Sequence, residues 1–191
     1  MWWARLLNLI AAIHGVGTAA STNSYESIAT FNGTGSSGVI TFSSIPQTFK
    51  HLQVRAILRG TTAATANGTD MRFNGDSGAN YTLHRLIGDG ASATADGYTG
   101  RTGAWLGLET DANASANIYA ACVTDIFDYT NTNKYTTTRS LGAYDLNGSG
   151  QINFASAVWL NTAAITSITI NAAGGGNWTT ATQIALYGIK G

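Results

Sequence analysis

The chain predicts an all-β protein, an antiparallel β-sandwich with a short helical arm at its N-terminus. Three observations carry that reading. From Tyr25 onward, apolar residues alternate with polar ones at period two, the pattern of strands with one buried face. Short clusters of Gly, Asn, Ser and Thr interrupt the alternation and supply turns. Only the first fourteen residues space their apolar side chains at three and four, which is helical periodicity.

That head, Met1 to His14, carries Trp2, Trp3, Leu6, Leu7, Ile10 and Ile13 on a broad apolar face, and Gly15 and Gly17 end it. A secretory signal is the alternative, with Arg5 as the charged start and Gly17 to Ala20 as the small-residue exit. With Met1 in place, the head is expected to be retained. It is too short to cross a bilayer, which takes about 20 apolar residues, and Asn8 and His14 interrupt it. An isolated helix of that length is marginal in water, so a packing partner is expected to hold it. The expected organisation is therefore an anchoring arm and linker over residues 1–24 and one sandwich domain over 25–191.

Tyr25 to Phe31 reads as a first strand, and Asn32 to Gly38 as a flexible turn. Val39 to Phe42 is a short second strand closed near Pro46, the single proline. His51 to Arg59 has the cleanest alternation: Leu52, Val54, Ala56 and Leu58 interleave with His51, Gln53, Arg55, Ile57 and Arg59. Thr61 to Thr69 reads as a loop, Met71 to Phe73 and Tyr81 to Ile87 as strands, and Gly88 to Gly103 as a long structureless stretch. Strands are expected over Ala104 to Leu108, Ile118 to Tyr129, Tyr135 to Tyr144, Ile152 to Leu160, Ile165 to Ile170 and Ile184 to Ile189. About ten short strands favour a jelly roll, with an immunoglobulin-like sandwich as the alternative.

Charge limits the function classes. Asp, Glu, Lys and Arg make up 10% of the 191 residues, ten acids against ten bases, where about 25% is usual. No basic stripe is visible, which argues against nucleic-acid binding. Near-zero net charge promotes association, which suits a member of an assembly. Cys122 is the single cysteine and sits in an apolar run, so it is expected to be a small core hydrophobe.

No catalytic residue and no cofactor or metal ligand is assigned. Asp145-Leu146-Asn147-Gly148-Ser149-Gly150 imitates the start of a calcium loop, but Ser156 stands where a bidentate Glu is needed, and an Asn-Gly hairpin turn is the preferred reading. His51 and His84 fall in strands and are expected to be structural. Asp125 and Asp128 are three apart and so a poor pair for acid–base work, and no Gly-X-Ser-X-Gly occurs. Among the aromatics, Trp159 is expected in the core, while Tyr98 and Trp178 beside glycine-rich segments are candidates for an outward-facing binding surface.

Tyr25-Glu26-Ser27-Ile28-Ala29-Thr30, Ser37-Gly38-Val39-Ile40-Thr41-Phe42-Ser43-Ser44-Ile45-Pro46-Gln47-Thr48-Phe49-Lys50-His51-Leu52-Gln53-Val54-Arg55 and the closing Gln183-Ile184-Ala185-Leu186-Tyr187-Gly188-Ile189-Lys190 resemble virion structural proteins of tailed bacteriophages. The resemblance covers both ends of the β-domain and leaves Thr61 to Asn117 unmatched. It implies a non-enzymatic jelly-roll module on the outer surface of a virus capsid: a cement or decoration protein, expected as a homotrimer. Trp2, Trp3, Leu6, Leu7, Ile10 and Ile13 would then dock on the major capsid protein or between sister subunits, with no nucleic acid or membrane as partner. A tail-fibre or receptor-binding module recognising host polysaccharide is the alternative.

Overall fold

The computed structural model describes residues 24–191. The expected helical arm, with its docking residues Trp2, Trp3, Leu6, Leu7, Ile10 and Ile13, lies outside the described residues.

Twelve strands follow in order: β1 (Tyr25–Asn32), β2 (Val39–Phe42), β3 (His51–Leu58), β4 (Ala66–Phe73), β5 (Tyr81–Gly88), β6 (Ala93–Arg101), β7 (Ala104–Thr110), β8 (Ala120–Phe127), β9 (Thr136–Asp145), β10 (Gly150–Trp159), β11 (Ile168–Asn171) and β12 (Gln183–Ile189). They form two antiparallel sheets packed as a sandwich, one of eight strands ordered β1-β12-β3-β8-β9-β10-β5-β6 and one of four ordered β2-β11-β4-β7. The sets β1-β12-β3-β8 and β2-β11-β4-β7 have the interleaved order of a jelly roll, two Greek keys wrapped on each other. Two hairpins are inserted into that frame: β5–β6 between β4 and β7, and β9–β10 between β8 and β11. Both join the first sheet beyond β8 and double its width.

Two expectations about the chain path are corrected. The stretch Gly88 to Gly103 is not structureless, because Ala93–Arg101 pairs with β5 from Gly88↔Ala93 to Tyr81↔Arg101. Apart from Tyr98 and Arg101 its side chains are small, and most are exposed, so an edge strand held by backbone hydrogen bonds leaves no apolar alternation to read. Much of the expected loop Thr61 to Thr69 likewise belongs to β4, where Asn67, Gly68 and Thr69 lie across from Glu109, Leu108 and Gly107. There the buried side chains are polar or absent, and the period-two signal fails for that reason.

The core lies between the sheets. Alternation in β3 buries Leu52, Val54, Ala56 and Leu58 against Phe42, Met71, Phe73, Leu106, Ile168 and Ile170 from the smaller sheet. Phe73, Tyr81 and Trp159 form an aromatic knot, with Phe73–Trp159 ring centroids 5.5 Å apart and edge-on. Trp159 Nε1 donates to Asp76 Oδ2 at 2.8 Å, so the one polar atom of a buried indole is satisfied by the turn that starts the inserted hairpin. That turn runs through Asn74 and Gly75, both at positive φ. Asn74 also locks the β10–β11 connection, its Oδ1 accepting from Thr166 N–H at 2.8 Å and Ser167 N–H at 3.1 Å.

Cys122 is buried, and burial pushes its thiol up to about 12, as a small core hydrophobe should behave. The Asn147-Gly148 pair turns the β9–β10 hairpin with both residues at positive φ, and Leu146 N–H donates to Ser149 O at 2.7 Å.

Candidate functional site

Because side chains alternate across a sheet, the register of the eight-stranded sheet fixes what its outer face presents. One cross-strand row reads Ala185, Arg55, Val123, Leu141, Phe154 and Leu86 from β12 through β5. The next reads Gln183, Ile57, Ala121, Ala143 and Ile152. Leu86 is 56% exposed, and Leu141, Ile152 and Phe154 are each 51% exposed, although all sit in regular strands. The β12, β3, β8 and β9 parts of the rows, with Ile152, line a shallow apolar concavity of about 520 Å³ together with Arg55, Gln183 and Tyr187, and Phe154 and Leu86 continue the apolar surface outside it. Isolated exposed apolar residues are ordinary on a protein surface, whereas a contiguous apolar face on a sheet marks an interaction site.

A polar row borders the apolar ones: Gln53, Asp125, Arg139, Ser156 and His84. It is tied together across three strands. Gln53 Nε2 donates to Asp125 Oδ1 at 2.7 Å, and Arg139 Nη2 donates to Asp125 Oδ2 at 2.7 Å. Arg55 Nε donates to Gln53 Oε1 at 2.7 Å. The Arg55 guanidinium lies 5.2 Å from the Tyr25 ring centre and 5.1 Å from that of Tyr187. It is therefore oriented by two aromatic faces and one amide while remaining exposed.

The two aromatics expected to face outward divide. Tyr98 is 46% exposed, with the guanidinium groups of Arg85 and Arg101 near its ring and its hydroxyl donating to Asp96 Oδ2 at 3.2 Å. The expectation for Trp178 is corrected: it is fully buried. The glycine run before it folds into a single 3-10 turn over Ala173–Gly175 against Thr62, and Trp178 is drawn under Gly60 and Ser37. Its backbone N–H donates to Ser37 O at 2.9 Å, while the indole Nε1 has no hydrogen-bond partner among the described residues. Glycine beside an indole signals exposure only if the glycines form a protruding loop, and here they permit close packing.

The histidines and paired acids also resolve. His51 Nδ1 accepts from Asp128 N–H at 3.0 Å, a structural bond at a strand end, and His84 stands exposed on the outer face. Asp125 lies on β8, while Asp128 follows it at positive φ, bonded to Lys50 and Lys134. Those two lysines hold the Asp128 carboxyl at about 2.

A second carboxyl pair escapes sequence reasoning. Glu109 and Asp111 are two apart on one face of an extended segment, and both are fully buried. Glu109 Oε2 accepts from Thr69 Oγ1 at 2.6 Å, its Oε1 accepts from Ala173 N–H at 2.9 Å, and Asp111 Oδ2 accepts from Asn67 Nδ2 at 2.6 Å. Burial pushes the Glu109 carboxyl up to about 7, despite the two donors that act the other way. The i, i+2 spacing was the available signal. Both carboxyls are enclosed in the wall of the sandwich, and Asp111 Oδ1 has no hydrogen-bond partner among the described residues.

No protein-family model matches the chain, and no curated protein sequence matches it. Among solved structures it is similar to a toad ovary galectin in complex with thio-digalactose, at 7% identity and a TM-score of 0.31 over 78% of this chain and 98% of that one. It is similar also to CG-16, a homodimeric agglutinin from chicken liver, at 8% identity and a TM-score of 0.28 over 76% and 98% of the two chains. A third is SCLam, a non-specific endo-β-1,3(4)-glucanase of family GH16, at 10% identity and 0.25 over 80% and 63%. At these values none of the three bears on what this chain binds.

Proposed function

We propose that the chain is a non-enzymatic structural subunit, a cement or decoration protein on the outer surface of a phage capsid, that docks on its neighbours through apolar surface. The single observation that carries the docking part is the pair of exposed apolar rows across the outer face of the eight-stranded sheet. A free monomer gains nothing from such a face, whereas burying a large apolar side chain in a lattice contact contributes about 1.5–3 kcal/mol. Low charge and the resemblance at both ends of the β-domain support the setting, and the apolar head from Trp2 to Ile13 supplies a second anchor.

The test is particle occupancy. Deleting Met1 to His14, or replacing Leu141 by Asp, is expected to release the protein from purified capsids while the β-domain still folds. Full occupancy by both variants would end the reading. A receptor-binding module is the second reading, and the exposed ring of Tyr98 favours it. It predicts glycan-array binding that Tyr98→Ala removes, together with low copy number on a stained gel of virions.

A further inference from the structure

Within the docking face, Arg55 stands apart from the other charged groups. Asp125 is occupied on both oxygens by Gln53 and Arg139, and Gln53 is occupied in turn by Arg55 Nε. Among the described residues Arg55 enters no ion pair, and neither of its Nη groups has a hydrogen-bond partner, although Tyr25 and Tyr187 hold the guanidinium in place. After the buried Ala185 it is the first exposed residue of the row, which continues as Val123, Leu141, Phe154 and Leu86. A planar fork with free donors, fixed by stacking at one end of an apolar strip, is arranged to take a carboxylate.

We propose that this face binds an apolar segment of a partner protein that carries a carboxylate at one end, the side chain pairing with Arg55 and the apolar part lying across β8, β9, β10 and β5. The inference deepens the reading above and rests on the chain being built into an assembly. From β3 to β5 the strip crosses four strand spacings, about 19 Å at about 4.8 Å each. That is the length of a helix of about 13 residues. The protein's own head is apolar and of matching length, but it has the wrong charge: residues 1–23 contain Arg5 and no Asp or Glu. A second copy would bring the same head, and its own apolar strip carries Arg55 again, so a face-to-face copy sets arginine and not a carboxylate against this strip and the chemistry points to a different polypeptide.

The experiment uses the full-length chain and two synthetic probes. Both are dansylated amphipathic helical peptides of 14 residues (about the span of the strip), with leucines along one face. One carries a glutamate in its first turn, and the other carries a lysine there. Fluorescence titration is expected to show the glutamate peptide binding at least ten-fold more tightly (~1.4 kcal/mol), a preference that Arg55→Gln abolishes. Leu141→Asp, at an exposed site, should remove binding of both peptides with the thermal unfolding midpoint unchanged. Equal binding of the two peptides, a preference that survives in Arg55→Gln, or no binding at all would overturn the proposal. Binding seen only after Leu6→Asp would overturn it too, because the protein's own head would then be the occupant. Capsid occupancy is measured separately, so loss of the peptide preference with normal Leu141→Asp release from particles sinks this inference and spares the structural role.

Discussion

Glu109 and Asp111 share one buried pocket beneath Gly60: a methyl group placed on that glycine would lie 2.9 Å from Glu109 Oε1 and 2.4 Å from Asp111 Oδ1. Two carboxyl groups in one pocket, both removed from water, disfavour the doubly charged state: burial raises both above their ordinary values, and the Asp111 charge raises Glu109 further.

Stability should therefore fall as pH rises through this window. The folded state holds a proton on Glu109 up to about 7, whereas the unfolded chain releases it near 4.5. Folding thus takes up a proton between those values, and the stability it contributes is present below about 4.5 and lost by about 7, with Asp111 acting in the same sense. Each unit is worth up to about 1.4 kcal/mol. Urea denaturation at a series of pH values is expected to show the decline, and Glu109→Gln should flatten it. Asp128, held at about 2 by Lys134 and Lys50, works the opposite way: its contribution is lost as pH falls from 3.8 toward 2.

Gly188 in β12 faces the Phe49 ring with no room for a side chain, since an added Cβ would meet ring carbons at 2.3 Å. Gly188→Ala should cost about 1–3 kcal/mol through overpacking. A lowered denaturation midpoint with an unchanged m-value is the expected reading.

Trp178 and Tyr98 should behave oppositely on truncation. Trp178→Ala opens a cavity beneath the β11–β12 connection and is expected to cost about 3–5 kcal/mol. Tyr98→Ala, on the exposed edge strand, should cost less than about 1 kcal/mol. Equal losses from the two would contradict the placement of Trp178 in the core.

The fold class was open to reading because strands such as β3 and β8 bury alternate side chains against another sheet, and that need writes itself into the chain at period two. The Asn147-Gly148 turn was equally open, since positive φ selects those residues. The edge strand β6 was not, because hydrogen bonding to a neighbour demands no particular side chain. Of the candidate outer-face aromatics, Tyr98 was legible and Trp178 was not, since the turn that buries the indole is closed by Thr62 and Gly60, more than a hundred residues away.

Local alternation, turn chemistry and composition were sufficient to establish a sparsely charged all-β sandwich with Cys122 and Trp159 inside it. Register and strand order had to come from the folded chain: they set Val123, Leu141, Phe154 and Leu86 in one line, leave Arg55 beside it without an anion among the described residues, and seal Glu109 beside Asp111. The reason is physical. A strand's own residues say which of its faces is apolar, but which strands become neighbours, and whether anything covers the outer face, depends on contacts between segments far apart in the chain.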